Sequence, residues 1–247
     1  MKFELTDETK ELGVVTLHRI KAVKDFGGVK KDDLGGWVEK EENLSQEEAC
    51  WVSGNAQVSG DARVSGNAQV SGNAQVSGDA RVFGHAWVYG DARVFGNAWV
   101  FGDARVFGNA WVFGNARVYG DARVSGNAQV SGNARVSGNA WVYGDAQVSG
   151  NARVFGNAWV YGDARVFGNA CIEAKTDIFL VSNVGSENGT LTAFKCADGA
   201  IVVTRGCFYG TLEKFEEKVI ETHGDNIHAK LYLALIPIIK LKFSQVA

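Results

Sequence analysis

Long apolar runs, proline and net charge are all scarce in this sequence. No run of 18 apolar residues occurs, which excludes a membrane-spanning helix. The formal net charge is only -3, so a strongly basic nucleic-acid-binding protein is not the expected class. A single proline stands against 31 glycines, while 46% hydrophobic and 21% charged residues exclude a disordered or collagen-like chain. The composition therefore indicates a folded, glycine-rich protein.

Paired cysteines and targeting signals are also lacking. The four cysteines form no C-x-x-C pair, which is typical of a chain that keeps its thiols reduced. The first 13 residues are charged and lack the apolar segment of a secretory signal peptide. We therefore expect a cytoplasmic protein, with no cofactor and no metal. The cysteines are Cys50, Cys171, Cys196 and Cys207.

A six-residue repeat, V-x-G-[N/D]-A-x, occupies residues 52–171. These 120 residues hold 20 copies without an insertion. Valine, glycine and alanine fill positions one, three and five in every copy, and position four is Asn or Asp except at His85. Residues 46–51 read as an incomplete entry copy with Cys50 in the alanine position. Such internal repetition is the signature of a solenoid.

Each hexad predicts one short strand and one bend. Along A-x-V-x the small apolar residues alternate with variable ones, so alanine and valine share one face of a strand. The following Gly-Asn or Gly-Asp pair tolerates a left-handed backbone and makes a corner. We therefore expect valine and alanine to point inward and positions two and six to point outward. The periodicity fits a coil of two hexads and a coil of three hexads equally well.

The repeat resembles that of the hexapeptide-repeat left-handed β-helix superfamily. The segment D-L-G-G-W-V-E at residues 33–39 is similar to the N-terminal cap of bacterial and prophage hexapeptide-repeat proteins of unknown function. This resemblance implies a mainly β fold, a left-handed parallel β-helix with three hexads per coil. The 20 hexads then make about 6.7 coils. The resemblance leaves the function open, because this fold hosts unrelated activities.

Three parts are expected along the chain. Residues 1–51 form an N-terminal β cap, residues 52–171 the β-helix, and residues 172–247 a small C-terminal α+β unit. Caps are needed because a solenoid exposes strand edges at both ends. In the first cap we predict a strand over residues 14–23 and turns at the Gly27-Gly28 and Gly35-Gly36 pairs.

The C-terminal unit is predicted to have the order β-β-β-α-α. Its strands cover residues 178–184, 190–196 and 200–205. Thr211 caps a helix that runs to about residue 223 and is stopped by Gly224. Asp225 caps a second helix, which Pro237 ends or kinks.

The outward positions carry the candidate binding residues. Position six alternates tryptophan and arginine in the middle of the repeat, while position two changes there from serine to an aromatic residue. The repeat has no lysine and no glutamate, and its nine arginines and seven aspartates leave it at +2. The candidate residues are Trp87, Arg93, Phe95, Trp99, Phe101, Arg105, Phe107, Trp111, Phe113, Arg117, Trp141 and Trp159.

Two interpretations of these residues stay open. A monomer rarely leaves so large an apolar surface in water, and Trp and Arg are enriched at interface centres, so the residues predict a protein interface. Alternatively, aromatic rings on neighbouring coils stack on one another and stiffen the helix. Nucleic-acid binding by base stacking and arginine contacts is disfavoured by the small charge of the repeat.

An enzyme is the second hypothesis. Many proteins of the resembled superfamily are acyltransferases, which implies a catalytic histidine near a trimer interface. His85 is the one histidine of the repeat, but it occupies a corner position where Asn or Asp is usual. Aspartate pairs such as Asp61 and Asp79 or Asp145 and Asp163 suggest a cation site, although turn aspartates more often bond to the local backbone.

The favoured prediction is a non-enzymatic rigid scaffold or binding protein. It self-associates, with a trimer favoured, or binds a protein partner through its outward aromatic and arginine side chains. No membrane association is expected. The resemblance to prophage-borne proteins implies a phage-encoded role, in the virion or in the infected cell.

Overall fold

The hexads form a β-solenoid, and each hexad supplies one strand made of position six and the next valine. The structure is a computed structural model that describes residues 1–244. All the valines at position one and all the alanines at position five are buried, as predicted. These side chains form a single core that runs along the inside of the coil.

Three parallel sheets, called faces here, make up the walls of the solenoid. Face 1 contains β5 (Gln57–Val58), β8 (Gln75–Val76), β11 (Arg93–Val94), β14 (Trp111–Val112), β17 (Gln129–Val130), β20 (Gln147–Val148) and β23 (Arg165–Val166). Face 2 contains β4 (Trp51–Val52), β7 (Gln69–Val70), β10 (Trp87–Val88), β13 (Arg105–Val106), β16 (Arg123–Val124), β19 (Trp141–Val142) and β22 (Trp159–Val160). Face 3 contains β6 (Arg63–Val64), β9 (Arg81–Val82), β12 (Trp99–Val100), β15 (Arg117–Val118), β18 (Arg135–Val136), β21 (Arg153–Val154) and β24 (Cys171–Ile172).

The coil has 18 residues, which decides between the two coil lengths that the sequence leaves open. Each strand pairs in parallel with the strand three hexads later, so that Trp87 lies beside Arg105 and Val88 beside Val106. The backbone N–H of Arg105 donates to the carbonyl of Ala122 in the next coil at 2.9 Å. Face 1 also takes up the cap strand β3 (Leu34–Val38) and stacks eight strands, so the solenoid has about eight turns.

The corners explain why glycine holds position three. Gly114 has a φ of +68°, and a Cβ there would lie 3.1 Å from the backbone nitrogen of Gly132 in the next coil. Both the left-handed conformation and the close approach of the two backbones therefore require glycine. Beside it, Asn115 donates from its side-chain amide to the Oδ1 of Asn133 at 3.2 Å, one coil further on. The corner asparagines thus form ladders along the solenoid.

The N-terminal cap extends face 1 with an antiparallel hairpin. Its strands are β1 (Phe3–Leu12), β2 (Val15–Ala22) and β3 (Leu34–Val38), and β3 pairs in parallel with β5. The predicted strand over residues 14–23 is confirmed as β2. The predicted turn at Gly35-Gly36 is wrong, because both glycines lie within β3. A Cβ on Gly36 would lie 2.7 Å from the carbonyl oxygen of Ala56, so these glycines allow the strand to approach the first coil.

A buried lysine closes the N-terminal end of the core. Lys2 is 1% exposed, and its ammonium donates to the carbonyls of Cys50 at 2.8 Å and Glu47 at 3.0 Å. The same ammonium lies 3.1 Å from the Cys50 Sγ and over the ring of Phe26. Lys2 therefore satisfies carbonyl groups at the point where the repeat begins.

The C-terminal unit is a four-stranded antiparallel sheet covered by two helices. It contains β25 (Ile178–Val184), β26 (Gly189–Lys195), β27 (Ile201–Arg205), β28 (Phe208–Thr211), α1 (Leu212–His223) and α2 (Ile227–Ser244). The sequence-based prediction missed β28, which is only four residues long. The predicted unit ended at residue 247, and residues 245–247 lie outside the described part of the chain.

The helix boundaries of this unit follow the predicted caps in part. The hydroxyl of Thr211 accepts from the backbone N–H of Lys214, and Gly224 ends α1 with a φ of +57°, as predicted. Asn226, not Asp225, caps α2, because its Oδ1 accepts from the backbone of the first helical turn. Of the two effects predicted for Pro237, a helix end or a kink, the helix end is wrong. Pro237 lies on the exposed side of a helix that continues to Ser244.

One face of this sheet closes the C-terminal end of the solenoid. The backbone N–H of Arg165 in β23 donates to the Thr192 hydroxyl at 3.2 Å, and the Thr204 hydroxyl donates to the Arg165 carbonyl at 2.9 Å. Phe194 and Val202 continue the solenoid core, while the opposite sheet face packs on α1 and α2. The unit therefore covers edge groups that would otherwise be free to pair with another chain.

Candidate binding faces of the solenoid

The alternation of tryptophan and arginine at position six brings the two residue types together on neighbouring coils, because each coil has an odd number of hexads. Along the chain the pattern repeats every second hexad, but the residue above each position comes three hexads later. Tryptophan therefore lies over arginine on every face: Trp87 pairs with Arg105 on face 2, Trp111 with Arg93 on face 1, and Trp99 with Arg117 on face 3.

These neighbours make cation–π contacts. The guanidinium carbon of Arg117 lies 5.0 Å from the ring centroid of Trp99, and that of Arg81 lies 5.2 Å from it on the other side. Arg93 lies 5.2 Å from Trp111, and Arg105 lies 5.7 Å from Trp87. A cation within about 6 Å of a ring centroid is attracted to the ring face. Trp99 is thus enclosed between two arginines.

The position-two rings stack along each face. Phe83, Phe101 and Tyr119 form a column on face 3 with centroids 4.9 Å apart and nearly parallel planes. The pairs Tyr89–Phe107 on face 2 and Phe95–Phe113 on face 1 have the same arrangement, at 4.9 Å and 5.0 Å. Stacking on neighbouring coils, one of the two open interpretations, is therefore present in the structure.

The candidate residues surround the solenoid instead of forming one surface. Face 1 holds Arg93, Phe95, Trp111 and Phe113; face 2 holds Trp87, Arg105, Phe107, Trp141 and Trp159; face 3 holds Trp99, Phe101 and Arg117. Trp87, Trp111 and Trp159 are the most exposed tryptophans, at 49%, 37% and 36%. Two of these three lie on face 2, which is therefore the most open aromatic face.

An aromatic patch at the C-terminal end of face 2 adds residues that the sequence analysis did not select. Trp141 stacks on Trp159 at 5.7 Å, and Tyr143 stacks on Tyr161 at 5.6 Å. The ammonium of Lys175 lies 3.2 Å from the Trp159 ring centroid. The 18-residue spacing of the four aromatic residues is the signal in the sequence, but it becomes visible only once the coil length is known. We call these five residues the face-2 patch.

Face 3 has a groove next to the N-terminal cap. Its volume is about 680 Å³, and its walls include Glu41 and Glu42 from the cap and Arg63, Arg81 and Trp99 from the coils. A second cavity of about 670 Å³ lies in the C-terminal unit between α1 and the β27–β28 turn, with Arg205, Cys207 and His223 in its lining. The face-3 groove brings acidic and basic side chains together, so it is mixed in charge.

His85, the candidate base of the enzyme hypothesis, is a corner residue in the asparagine ladder. Its Nε2 lies 2.9 Å from the Asn67 amide nitrogen, and its Nδ1 lies 3.5 Å from an oxygen of Asp103. The ring is largely exposed and follows the same corner column as its neighbours. Its contacts are those of the Asn or Asp that other corners carry.

The corner aspartates also bond to protein groups. Asp61 pairs with Lys40 at 2.8 Å, Asp145 accepts from the Asn127 amide at 2.8 Å, and Asp163 accepts from the Thr190 hydroxyl at 3.3 Å. The Lys40 ammonium lowers the pKa of Asp61. Within residues 1–244, no three His, Cys, Asp or Glu side chains cluster as metal ligands.

The cysteine thiols show no pairing, and two of them are buried. All four are free, and Cys50 and Cys196 lie in the core. Burial raises the pKa of both thiols, and the nearby Lys2 ammonium opposes this effect at Cys50. A raised thiol pKa disfavours the reactive thiolate.

Helix α2 leaves one side uncovered. Ile227, Leu231, Ile238 and Leu241 are exposed along it, while the opposite side packs on the sheet. Within the described residues, no helix is both long enough and apolar enough to cross a membrane. The exposed side of α2 is therefore a second apolar surface, besides the face-2 patch.

The sheets, the corner ladders and the uninterrupted coil define the chain as a β-solenoid repeat protein. In agreement, the repeat matches the family model described as YdcK beta solenoid repeat in seven segments, residues 56–72, 74–90, 86–102, 112–126, 116–129, 128–144 and 146–162. All these segments lie inside the repeat, so the similarity concerns the solenoid and not the caps. No curated protein matches the chain at a significant level.

Proposed function

We propose that this protein is a non-enzymatic scaffold that binds other protein chains through face 2, in the first place further copies of itself. The single observation that carries the proposal is the exposure of Trp87 and Trp159 on the same face. Tryptophan in the centre of a surface is the residue type most enriched at energetically important interface positions. A trimer is the assembly we expect.

The charge around these tryptophans supports an interface. Face 2 adds Arg105, Arg123 and Lys175 to the aromatic residues. None of these cations has a carboxylate oxygen within 4.0 Å among the residues that the structure describes. Arginine beside aromatic residues is typical of interface cores, and unpaired cations leave charge for an acidic partner surface.

The test is the subunit count of a variant without the exposed tryptophans. Native mass spectrometry of Trp87→Ala/Trp159→Ala should show monomer, where the parent protein shows a trimer, because truncation of an interface tryptophan costs about 2–4 kcal/mol. Trp99→Ala is the matched control. Trp99 belongs to face 3 and is enclosed between arginines, so this variant should stay trimeric.

Three results would contradict the proposal. They are a parent protein that is monomeric at micromolar concentration, a double variant that keeps its assembly, and a control variant that loses it to the same degree. Circular dichroism of both variants checks that the solenoid remains folded.

The finer features expected from the resemblance belong to the same proposal. A left-handed coil and a phage-encoded role in the virion or the infected cell are supported by the hexad pattern and by the D-L-G-G-W-V-E segment at residues 33–39. A cytoplasmic location is supported by the four cysteines, which form no C-x-x-C pair and are typical of reduced thiols. Structure determination of the assembled protein tests the handedness, because the strand order around the coil defines it directly.

A further inference from the structure

Five of the nine repeat arginines lie on face 3. Successive members are three or six hexads apart along the chain, yet the 18-residue coil places them in one column with Trp99 between the second and third. Faces 1 and 2 have only two repeat arginines each. The five residues, called the arginine column here, are Arg63, Arg81, Arg117, Arg135 and Arg153.

The column is exposed and forms no ion pair within the described residues, although Glu41 and Glu42 line the same groove as Arg63 and Arg81. All five side chains are exposed, and none has a carboxylate oxygen within 4.0 Å among residues 1–244. Arg117, Arg135 and Arg153 pair directly in register, so three like charges follow one another at the strand spacing of about 4.8 Å. The corners on both sides of Arg135 and Arg153 hold asparagine.

Like charges at this spacing repel each other, and an extended anion relieves the repulsion. From β6 to β21 the column crosses five strand spacings, about 24 Å in a straight line. A row of guanidinium groups on successive strands, interrupted once by Trp99, fits a linear polymer that carries charge at every unit. Guanidinium groups bind phosphate and carboxylate oxygens in a planar, two-point geometry. A phosphate polymer carries these oxygens on its backbone at every unit, whereas an acidic polypeptide carries them at the ends of flexible side chains, so the column favours the phosphate polymer.

The neighbouring rings decide which part of a polymer is recognised. Phe83, Phe101 and Tyr119 lie beside the column, but they stack on one another at 4.9 Å with nearly parallel planes. The ring faces between neighbouring coils are therefore occupied, and only the outer faces of Phe83 and Tyr119 stay open at the two ends of the stack. At Phe155, further along face 3, the Arg153 guanidinium lies over the ring at 5.3 Å. Because most ring faces beside the column are covered, recognition falls on the charged backbone of the polymer.

We propose that the arginine column of face 3 is a binding site for a linear phosphate polymer, recognised through its phosphates and not through bases. This inference is independent of the proposed self-association, which uses face 2. The small net charge of the repeat does not oppose this proposal. It is a sum over all three faces that includes the seven corner aspartates, whereas the arginine column lies on one face.

The experiment compares two triple variants with equal charge change. Arg117→Gln/Arg135→Gln/Arg153→Gln removes three successive arginines of the column, and Arg93→Gln/Arg105→Gln/Arg123→Gln removes three arginines from faces 1 and 2. Because Arg105 and Arg123 belong to face 2, native mass spectrometry gives the subunit count of both variants, and their affinities are compared per subunit. Glutamine occurs naturally at position six, for example at Gln129 and Gln147, so both variants should fold. The probes are a fluorescent oligothymidylate of about 16 nucleotides and inorganic polyphosphate as an unlabelled competitor.

We expect the full chain to bind the oligothymidylate at low salt, with log K falling against log salt at a slope of about -3.5 for five phosphate contacts. The variant without Arg117, Arg135 and Arg153 should bind the oligothymidylate at least tenfold more weakly, and the magnitude of its salt slope should fall by about 2. The control variant should lose much less affinity. Equal binding of oligothymidylate and oligoadenylate is expected, because bases are not contacted. If polyphosphate displaces the oligothymidylate, the site binds phosphate chains in general. If polyphosphate does not displace it, the site is specific for a nucleic-acid backbone. Both results support the site.

The inference is overturned if neither probe binds at low salt, or if the two triple variants lose binding equally. Displacement by polyglutamate as effective as by polyphosphate would overturn the phosphate assignment. A melting temperature for each variant separates these results from loss of fold.

Discussion

At the scale of single residues, one polar side chain at each end connects the regular coils to the caps. Asp177 accepts from the backbone N–H groups of Glu173 and Ala174 at 3.0 Å and 2.9 Å and pairs with Lys195 at 3.0 Å. Asn43 makes the equivalent turn at the other end, where its Oδ1 accepts from the Lys40 N–H at 2.9 Å. A short turn closed by one polar side chain therefore occurs at both ends of the solenoid.

Asp177 gives the joint a dependence on pH. Burial works to raise the pKa of its carboxyl, but the two backbone N–H donors and the Lys195 ammonium outweigh burial and lower the pKa below its ordinary value of 3.8. A lowered pKa means that the carboxylate stabilises the fold above about pH 4, and that this contribution is lost as the pH falls through the lowered pKa.

We therefore expect Asp177→Asn to lower the melting temperature at pH 7. The difference between variant and parent should shrink as the pH falls below about 4, because the parent then loses its own charge. Thermal melts at several pH values measure this difference. A gap that stays constant from pH 7 to pH 2.5 would show that the charge of Asp177 contributes nothing.

At the scale of elements, α2 departs most from expectation. Proline normally interrupts a helix, because it has no N–H and clashes with the preceding turn. Pro237 nevertheless lies inside α2, on its exposed side, where water can satisfy the carbonyl group that loses its partner. Packing of Tyr232, Ile236 and Ile239 on the sheet holds the helix on both sides of the proline.

Pro237→Ala should therefore stabilise the C-terminal unit, by at most about 3 kcal/mol, since alanine restores the missing hydrogen bond and the helical backbone preference. Urea unfolding followed by circular dichroism gives the change. Ala234→Gly, also on the exposed side, is the control of opposite sign and should cost about 1 kcal/mol. A destabilising effect of the alanine variant would indicate that α2 depends on a bend at this proline.

At the scale of the whole molecule, the coil length decides which residues share a face. Removal of 18 residues deletes one coil and leaves every later hexad on its own face. Removal of six residues moves every later hexad to the neighbouring face. Both deletions keep the valine and alanine core, because each hexad contributes the same inward side chains.

Two deletions make this difference measurable. Deletion of residues 118–135 removes three hexads and should leave the assembly intact, since Trp87, Trp141 and Trp159 remain on face 2. Deletion of residues 124–129 removes one hexad and separates Trp87 from the other two, so we expect a folded protein that no longer assembles. Native mass spectrometry and circular dichroism test this; assembly of both deletion variants would argue against face 2 as the interface.

The repeat made much of this fold predictable, and the departures have local causes. The strands, the inward valine and alanine, the corners and the capping of α1 by Thr211 and Gly224 all follow from nearest-neighbour chemistry. The Gly35-Gly36 pair, in contrast, serves packing between β3 and the first coil, which no local rule contains. Pro237 and β28 were misjudged for the same reason, because tertiary packing outweighs local preference there.

The sequence by itself determined the unit of structure and its inside, because six residues contain both the alternation and the bend. Only the tertiary structure decided the surface. The outward side chains recur every six residues, but the coil closes every 18, so the neighbours of each side chain come from three hexads away. That closure places tryptophan over arginine on all faces and gathers five arginines on one, which the order of residues along the chain does not reveal.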